Sequence, residues 1–294
     1  MKGSNSTPNM AILIRPISFS FNEETSETNT FQNESHLTAT QIAELSQKEF
    51  NTLVQKLIDA KINVAVLAEH VTNIKKPDAI FSNNWVVYMP DGKTFTMPML
   101  TKNRKAEIHH RLVIGNHYSF FENYEGALEG TGSMVFDHKN KKIYAAISPR
   151  TNEETLTEFA KHVNYDLISF DAVDANGVRI YHTNVLLSVG ETWAVLCKDV
   201  ISNRNAIIKS LEEDGKTIIY ITEEQMGNFC ANIFELRNSD DNLIIMMSTR
   251  AMKSFSKEQL EKLFQHALVI PTPVNTIEDI GGGGVRCMIT GNFV

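Results

Sequence analysis

Positive charge is in short supply. The 294-residue chain has 28 Lys+Arg against 35 Asp+Glu, a formal net charge of −7. That is the wrong sign for gripping nucleic acid or an anionic membrane surface. Cysteine is scarcer still: three thiols make no disulfide framework and fit a reducing compartment, so a cytoplasmic protein is expected. No run approaches the roughly 18 apolar residues that a membrane span needs. Residues 1–8 lack the apolar stretch of a signal peptide, and residues 1–9 read as a frayed polar tail before a single domain over 10–294. No pair of His or Cys residues has metal-ligand spacing, so no metal is expected. Glycine is used sparingly too, 15 in all, yet four stand together at 281–284. That run demands a backbone which most residues could not supply. It is not a phosphate loop, since no Gly-Lys-Ser/Thr follows it.

What is present is a core's worth of apolar residues, 42% of the chain, and a faint repeat. Residues 133–150 run apolar stretch, polar turn, apolar stretch, then Ser-Pro-Arg. Residues 232–250 repeat that plan and end in Ser-Thr-Arg. After the first copy, Thr151 and Glu154 suggest a capping box and a helix over 156–163. After the second, a helix starts near Ser256 with Leu260, Leu263, Phe264 and Ala267 on one face. Between the copies, 182–188 and 193–197 read as a strand pair turned at Gly190, followed by a helix over 206–211 and a strand over 217–221. Less clean copies come earlier: strands over 11–14, 64–67 and 85–88, and an amphipathic helix over 41–58. A last partial copy covers 283–288. About five units of some 50 residues fill the chain, each mixing strands with a helix, and a closed ring would remove the exposed ends.

Residues capable of chemistry fall where units begin. Asn83-Asn84-Trp85, Leu128-Glu129-Gly130, Tyr181-His182-Thr183-Asn184 and the glycine run before Cys287 occupy these places. The interval from His182 to Cys287 is about twice the others, as if the unit around 227–232 contributed no catalytic group. In a ring, equivalent positions meet at the axis, so Glu129, His182 and Cys287 would converge, flanked by Asn84 and Asn184. Each also has a plainer reading. Cys287 could be a buried small hydrophobe, His182 a hydrogen-bonded core histidine, Glu129 a turn cap. Cys197 and Cys230 keep the plain reading. His109 and His110 are placed on the surface. Asn22, Asn29 and Phe31 are either a surface loop or a lid over the site.

These motifs together resemble the guanidine-modifying enzymes, namely arginine deiminases, dimethylargininases and amidinotransferases. The amidinotransferase-like, citrulline-hydrolase branch is the nearest, through Arg15-Pro16, Asn83-Asn84-Trp85 and Tyr181-His182-Thr183-Asn184. The resemblance implies an α/β fold, the five-bladed pseudo-symmetric α/β propeller (pentein). It also implies Cys287 as nucleophile, His182 as acid and base, Glu129 as carboxylate, and Arg150 and Arg104 as holders of a substrate α-carboxylate. Asn84 and Asn184 stand where that family's guanidinium-binding aspartates stand. A guanidinium offers only N–H donors and wants carboxylates, whereas a neutral ureido group suits a carboxamide, which both donates and accepts. Citrulline is therefore the expected substrate, attacked by a thiolate whose pKa the site lowers. Ornithine, carbon dioxide and ammonia would form through an S-carbamoyl-cysteine. Arginine deiminase, dimethylargininase or amidinotransferase activity stays open, as does a catalytically inert binding module of the same fold. The expected partner is a small amino acid, with no cofactor, nucleic acid or membrane; homo-oligomerisation is left open.

Overall fold

The computed structural model describes residues 6–70, 72–110, 119–120 and 125–294. Among these the strands form five three-stranded sheets with one plan. In each, the first two strands pair antiparallel and the third lies parallel to the second. The blades are β3 (Val86–Tyr88), β4 (Thr94–Thr96) and β5 (Ser119–Phe120); β6 (Val135–Asp137), β7 (Lys142–Ala146) and β8 (Asp166–Phe170); β9 (Leu187–Val189), β10 (Trp193–Leu196) and β11 (Thr217–Tyr220); and β12 (Phe234–Arg237), β13 (Leu243–Ser248) and β14 (Leu268–Thr272). The fifth joins the two ends of the chain. Its β1 (Met10–Ile14) pairs antiparallel with β15 (Thr290–Asn292) and parallel with β2 (Asn63–Leu67). The expected five-bladed α/β propeller is thus present, with a last blade built from both termini.

Sequence dictates these elements locally. The middle strands are near-continuous apolar runs because both of their faces are covered: all of Trp193–Leu196 is buried, as is Ile244 to Ser248. The outer strand Asn63–Leu67 has no fully buried position, and Asn63 and Val66 are exposed. A parallel third strand needs a crossover, and a helix supplies it. Ala39–Asp59 begins at a capping box between Thr38 and Gln41 and buries Ile42, Ser46, Phe50, Leu53 and Leu57 along one stripe. Lys257–Phe264 has the same device in Ser256 and Gln259. No helix of the described residues is long and apolar enough to cross a membrane.

Several expectations change. The helix Glu153–Val163 is capped by Asn152, which accepts from the Thr155 N–H, and not by Thr151. His182 does not begin a strand: it precedes a 3-10 turn at Thr183–Val185, and β9 starts at Leu187. The last copy is a short helix, Val285–Met288, with its strand further on at Thr290–Asn292. His110 is buried against Trp85 (ring centroids 5.8 Å apart) and bonded to the Glu107 carbonyl, because its turn faces inward. The polar tail is packed from Thr7 onward: Thr7 and Pro8 are buried, the Pro8 carbonyl accepts from the Arg237 N–H, and the Asn9 N–H donates to Asn292.

The ring closes through few bonds. Truncation after Ile289 removes β15 and leaves β1 with an open edge. Each backbone hydrogen bond lost is worth about 1 kcal/mol, so urea unfolding should show a loss of about 3 kcal/mol or more. An unchanged midpoint would mean that the C-terminal strand does not hold the ring.

Candidate active site

In four of the five blades the chain reaches the innermost strand through a tight turn, and these turns cluster at one end of the axis. Ser82–Asn84, Gly130–Ser133, Thr183–Val185 and Val285–Met288 each precede an inner strand. Neighbouring turns pack together, Gly130–Ser133 touching both Ser82–Asn84 and Thr183–Val185. Gly132 permits this. A Cβ there would lie 2.3 Å from Asn84 Nδ2 and 2.8 Å from His182 Nδ1, distances that no side chain tolerates.

Glu129 is the centre of the polar cluster. Its side chain is fully buried, and it does not cap the turn that follows. Its Oε2 lies 2.8 Å from His182 Nε2, 3.6 Å from Arg150 Nη1 and 3.8 Å from Arg104 Nη1. Its Oε1 accepts from the Leu100 N–H at 3.1 Å. Burial opposes ionisation, but Arg150, the His182 hydrogen bond and Arg104 outweigh it and hold Glu129 well below the usual carboxylate range. The two arginines are fixed from behind. Arg104 is forked by Glu107 (2.9 and 3.0 Å). Arg150 donates to Thr28 Oγ1 (2.7 and 3.0 Å) and to the Thr25 carbonyl, with its guanidinium carbon 4.8 Å from the Tyr181 ring centre. Their Nη1 groups converge on one region beside Glu129.

His182 is driven the other way. Burial lowers its pKa to about 4, beyond what Glu129 restores, so the imidazole is neutral at pH 7. If Nε2–H is donated to Glu129, Nδ1 is the basic nitrogen. Cys287 lies in the short helix after the glycine run, 4% exposed. Its Sγ accepts from Asn232 Nδ2 at 3.2 Å and from Asn184 Nδ2 at 3.4 Å. Burial raises the thiol pKa; Asn232, Asn184, Arg286 and the Gly284 backbone pull it back without cancelling the rise. A preformed thiolate, expected from sequence, is therefore absent from this closed state, because desolvation exceeds the stabilisation of the anion. Thiol and imidazole are both neutral.

His182, Arg150 and Arg104 thus surround Glu129, and Asn184 donates to the Cys287 sulfur. Asn84 is nearby but donates to the Glu129 backbone carbonyl (3.4 Å), not to the sulfur. Two residues escaped the sequence. Asn232 comes from the unit thought to contribute nothing; beyond the sulfur, it accepts from the Arg286 N–H and donates to the Asn184 carbonyl. Its place at the start of β12 was the available signal. Asp78 had none. Its Oδ2 accepts from Asn22 Nδ2 (2.7 Å) and Thr25 Oγ1 and lies 4.0 Å from Arg104, while buried Oδ1 has no partner.

A strap covers the site. Asn29 donates to the Gly281 carbonyl and packs on Gly282, whose φ of +64° favours glycine. Phe31 packs against Tyr181 and Phe229, and Thr25 and Thr28 hold Arg150. Asn22, Asn29 and Phe31 are therefore part of a cover. Among the described residues no group of three or more His, Cys, Asp or Glu could hold a metal ion.

The family described as "N,N dimethylarginine dimethylhydrolase, eukaryotic" matches residues 15–294. No curated protein matches significantly in sequence. Among solved structures, the N-terminal domain of ArgZ, an arginine dihydrolase from the ornithine-ammonia cycle in cyanobacteria, is similar in a cysteine-to-serine variant bound to substrate. The TM-score is 0.76 at 18% identity, covering 97% of this chain and 99% of that one. Unliganded AgrE gives 0.76 at 16%, covering 97% of this chain and 40% of that one. A histidine-to-glycine dimethylarginine dimethylaminohydrolase, as its adduct with S-methyl-L-thiocitrulline, gives 0.67 at 15%, covering 97% and 99%. At such identities the likeness is one of fold, and the fold is the pentein propeller.

Asn232→Ala removes one of the two carboxamide donors to the sulfur. Alkylation of Cys287 by iodoacetamide, followed by mass spectrometry at pH 7, should slow by about fivefold to tenfold, with its pH midpoint displaced upward. An unchanged profile would remove Asn232 from the thiol's environment.

Proposed function

The chain belongs to the N,N-dimethylarginine dimethylhydrolase family, a family of guanidino-group hydrolases, and from that premise we propose that it is a cysteine hydrolase which cuts a C–N bond of citrulline, releasing ornithine, carbon dioxide and ammonia. One observation carries the choice of a neutral ureido group over a guanidinium. The groups on the Cys287 sulfur are two uncharged carboxamides, while Glu129 already has two arginines and His182 around it. A further buried cation here would be poorly compensated, at a cost of several kcal/mol. A ureido group brings no charge, and the buried, unpartnered Asn184 Oδ1 offers an acceptor for its N–H.

The amino-acid end has matching partners. The converging Nη1 groups of Arg104 and Arg150 would take the α-carboxylate, and the unpartnered Asp78 Oδ1 would take the α-ammonium. This fixes the register that brings the ureido carbon to the sulfur.

The reaction starts from the neutral pair. The Cys287 proton passes to His182 as the sulfur bonds to the ureido carbon. The bond from that carbon to the side-chain nitrogen breaks, and His182, held as a cation by Glu129, gives its proton to the departing amine of ornithine. An S-carbamoyl-cysteine remains. Water attacks its carbonyl while His182 takes the water's proton. The C–S bond breaks, and the proton returns to the sulfur. The carbamic acid released decays to carbon dioxide and ammonia. Each turnover consumes one citrulline and one water.

A second reading has support in the family itself, whose description names a dimethylated arginine. It would place a guanidino substrate at the same thiol. An inert binding module is less well supported, since Cys287, His182 and Glu129 all reside at one end of the axis.

Separate incubations with citrulline, arginine and a methylated arginine, analysed by mass, decide between these readings. Ornithine and ammonia from citrulline are expected, and Cys287→Ser should lower the rate by at least about a thousandfold without unfolding. Citrulline formed from arginine or methylarginine, with citrulline itself inert, would replace the proposal by the guanidino reading. Asn184→Asp should move the citrulline-to-arginine preference toward arginine by about tenfold or more. An unmoved ratio would mean that the amide does not select the substrate.

A further inference from the structure

Beneath the catalytic turns lies a cavity of ≈ 80 Å³, lined by residues of β3, β6, β9, β12 and β15, the innermost strand of every blade. It is therefore on the propeller axis, beyond the thiol as seen from the strap. Arg286 and Asn184 line it, and they are respectively the chain neighbour of Cys287 and a donor to its sulfur. The volume holds several waters or one small polyatomic ion.

Arg286 on its wall has no ion-pair partner among the described residues. Arg286 stacks on Phe234, its guanidinium carbon 4.0 Å from the ring centre, and spends Nη1 on the Ile289 carbonyl at 2.9 Å. Among the described residues no carboxylate comes within 4.0 Å of it. The carboxylates that line the cavity are engaged elsewhere. Asp137 pairs with Lys216 at 2.7 Å and Glu191 with Arg237 at 2.6 Å, while Glu235 accepts from the Glu191 N–H and Trp193 Nε1. A second feature points to a ligand. Ser188, 6% exposed and on the same wall, has a hydroxyl with no hydrogen-bond partner. Arg286 is half-buried, a buried hydroxyl is normally satisfied, and a single anion between the two would pair with the guanidinium and accept from the hydroxyl.

We propose that this axial cavity is a binding site for a small planar monoanion such as formate, nitrate or bicarbonate, held by the Arg286 guanidinium and the Ser188 hydroxyl. Its occupant sits beside the cation that lies next to the nucleophile, so an anion there offsets the positive charge that favours the thiolate and slows the thiol's reactions. The site stands apart from the substrate reading; under that reading, the bicarbonate that the carbamate yields belongs to the same class.

The test uses the intact protein, without turnover. Binding of ¹³C-formate is followed by NMR line broadening, with ionic strength set by a sulfonate buffer too large for the cavity. Saturable binding is expected, together with a saturable slowing of Cys287 alkylation. Ser188→Ala should weaken binding by about tenfold, one hydrogen bond to a charged group, while Arg150→Gln should leave it unchanged. A flat response in the wild-type protein overturns the proposal without recourse to any variant. Binding that is lost in Arg150→Gln and kept in Ser188→Ala overturns it as well, since the anion would then lie on the arginines of the substrate site. Neither result bears on whether citrulline is hydrolysed.

Discussion

A single fully buried carboxylate organises this site. Glu129 cannot stay ionised in the interior without partners, and its partners are three basic side chains. His182 takes one oxygen by hydrogen bond, and Arg104 and Arg150 bring their Nη1 groups to the same side. The arginines need their own anchors, which come from Glu107, from Asp78 and, through Thr25 and Thr28, from the strap. Remove the carboxylate and two buried guanidinium groups lose a shared counter-charge, so the polar interior behaves as one unit rather than as separate pairs.

The same desolvation that makes Glu129 costly also holds the reacting groups neutral. The thiol is pushed up and the imidazole down, so the closed site carries no thiolate–imidazolium pair. Under the proposed function, activation belongs to the encounter with substrate, when proton transfer from sulfur to nitrogen accompanies bond formation. The strap fits such a scheme. Its threonines hold Arg150 and its Asn29 holds the glycine run, so displacing it would loosen both.

Propeller closure explains why residues so distant in sequence can meet. Four of the five blades hand a turn to the axis, and the final blade borrows its outer strands from the N terminus and its inner strand from the C terminus. Cys287 is thereby placed three residues before the strand that locks the ring. Integrity of the ring and position of the Cys287 thiol are one constraint, and the axial cavity behind the thiol is a by-product of five inner strands that cannot all touch.

Much of this was written locally. Apolar runs, polar turns and capping residues mark strands and helices because each needs only its neighbours within a few residues. The recurrence of Asn83-Asn84, Glu129, His182 and Cys287 at unit starts marked the axis, since repeated units put equivalent residues at equivalent places. Resemblance to the guanidine-modifying enzymes then pointed to Arg104 and Arg150. What the residues could not declare was anything set by contacts across blades. Asn232 reaches the sulfur only once its blade is docked against the next, and Asp78 meets Arg104 and the strap residues Asn22 and Thr25 only in the folded chain. His110 turns inward because Trp85 lies beneath it. Sequence determined the elements and the amides Asn84 and Asn184; tertiary structure decided protonation and which amides, Asn184 and Asn232, reach the thiol. Desolvation and counter-charge are properties of the assembled interior and of no single segment.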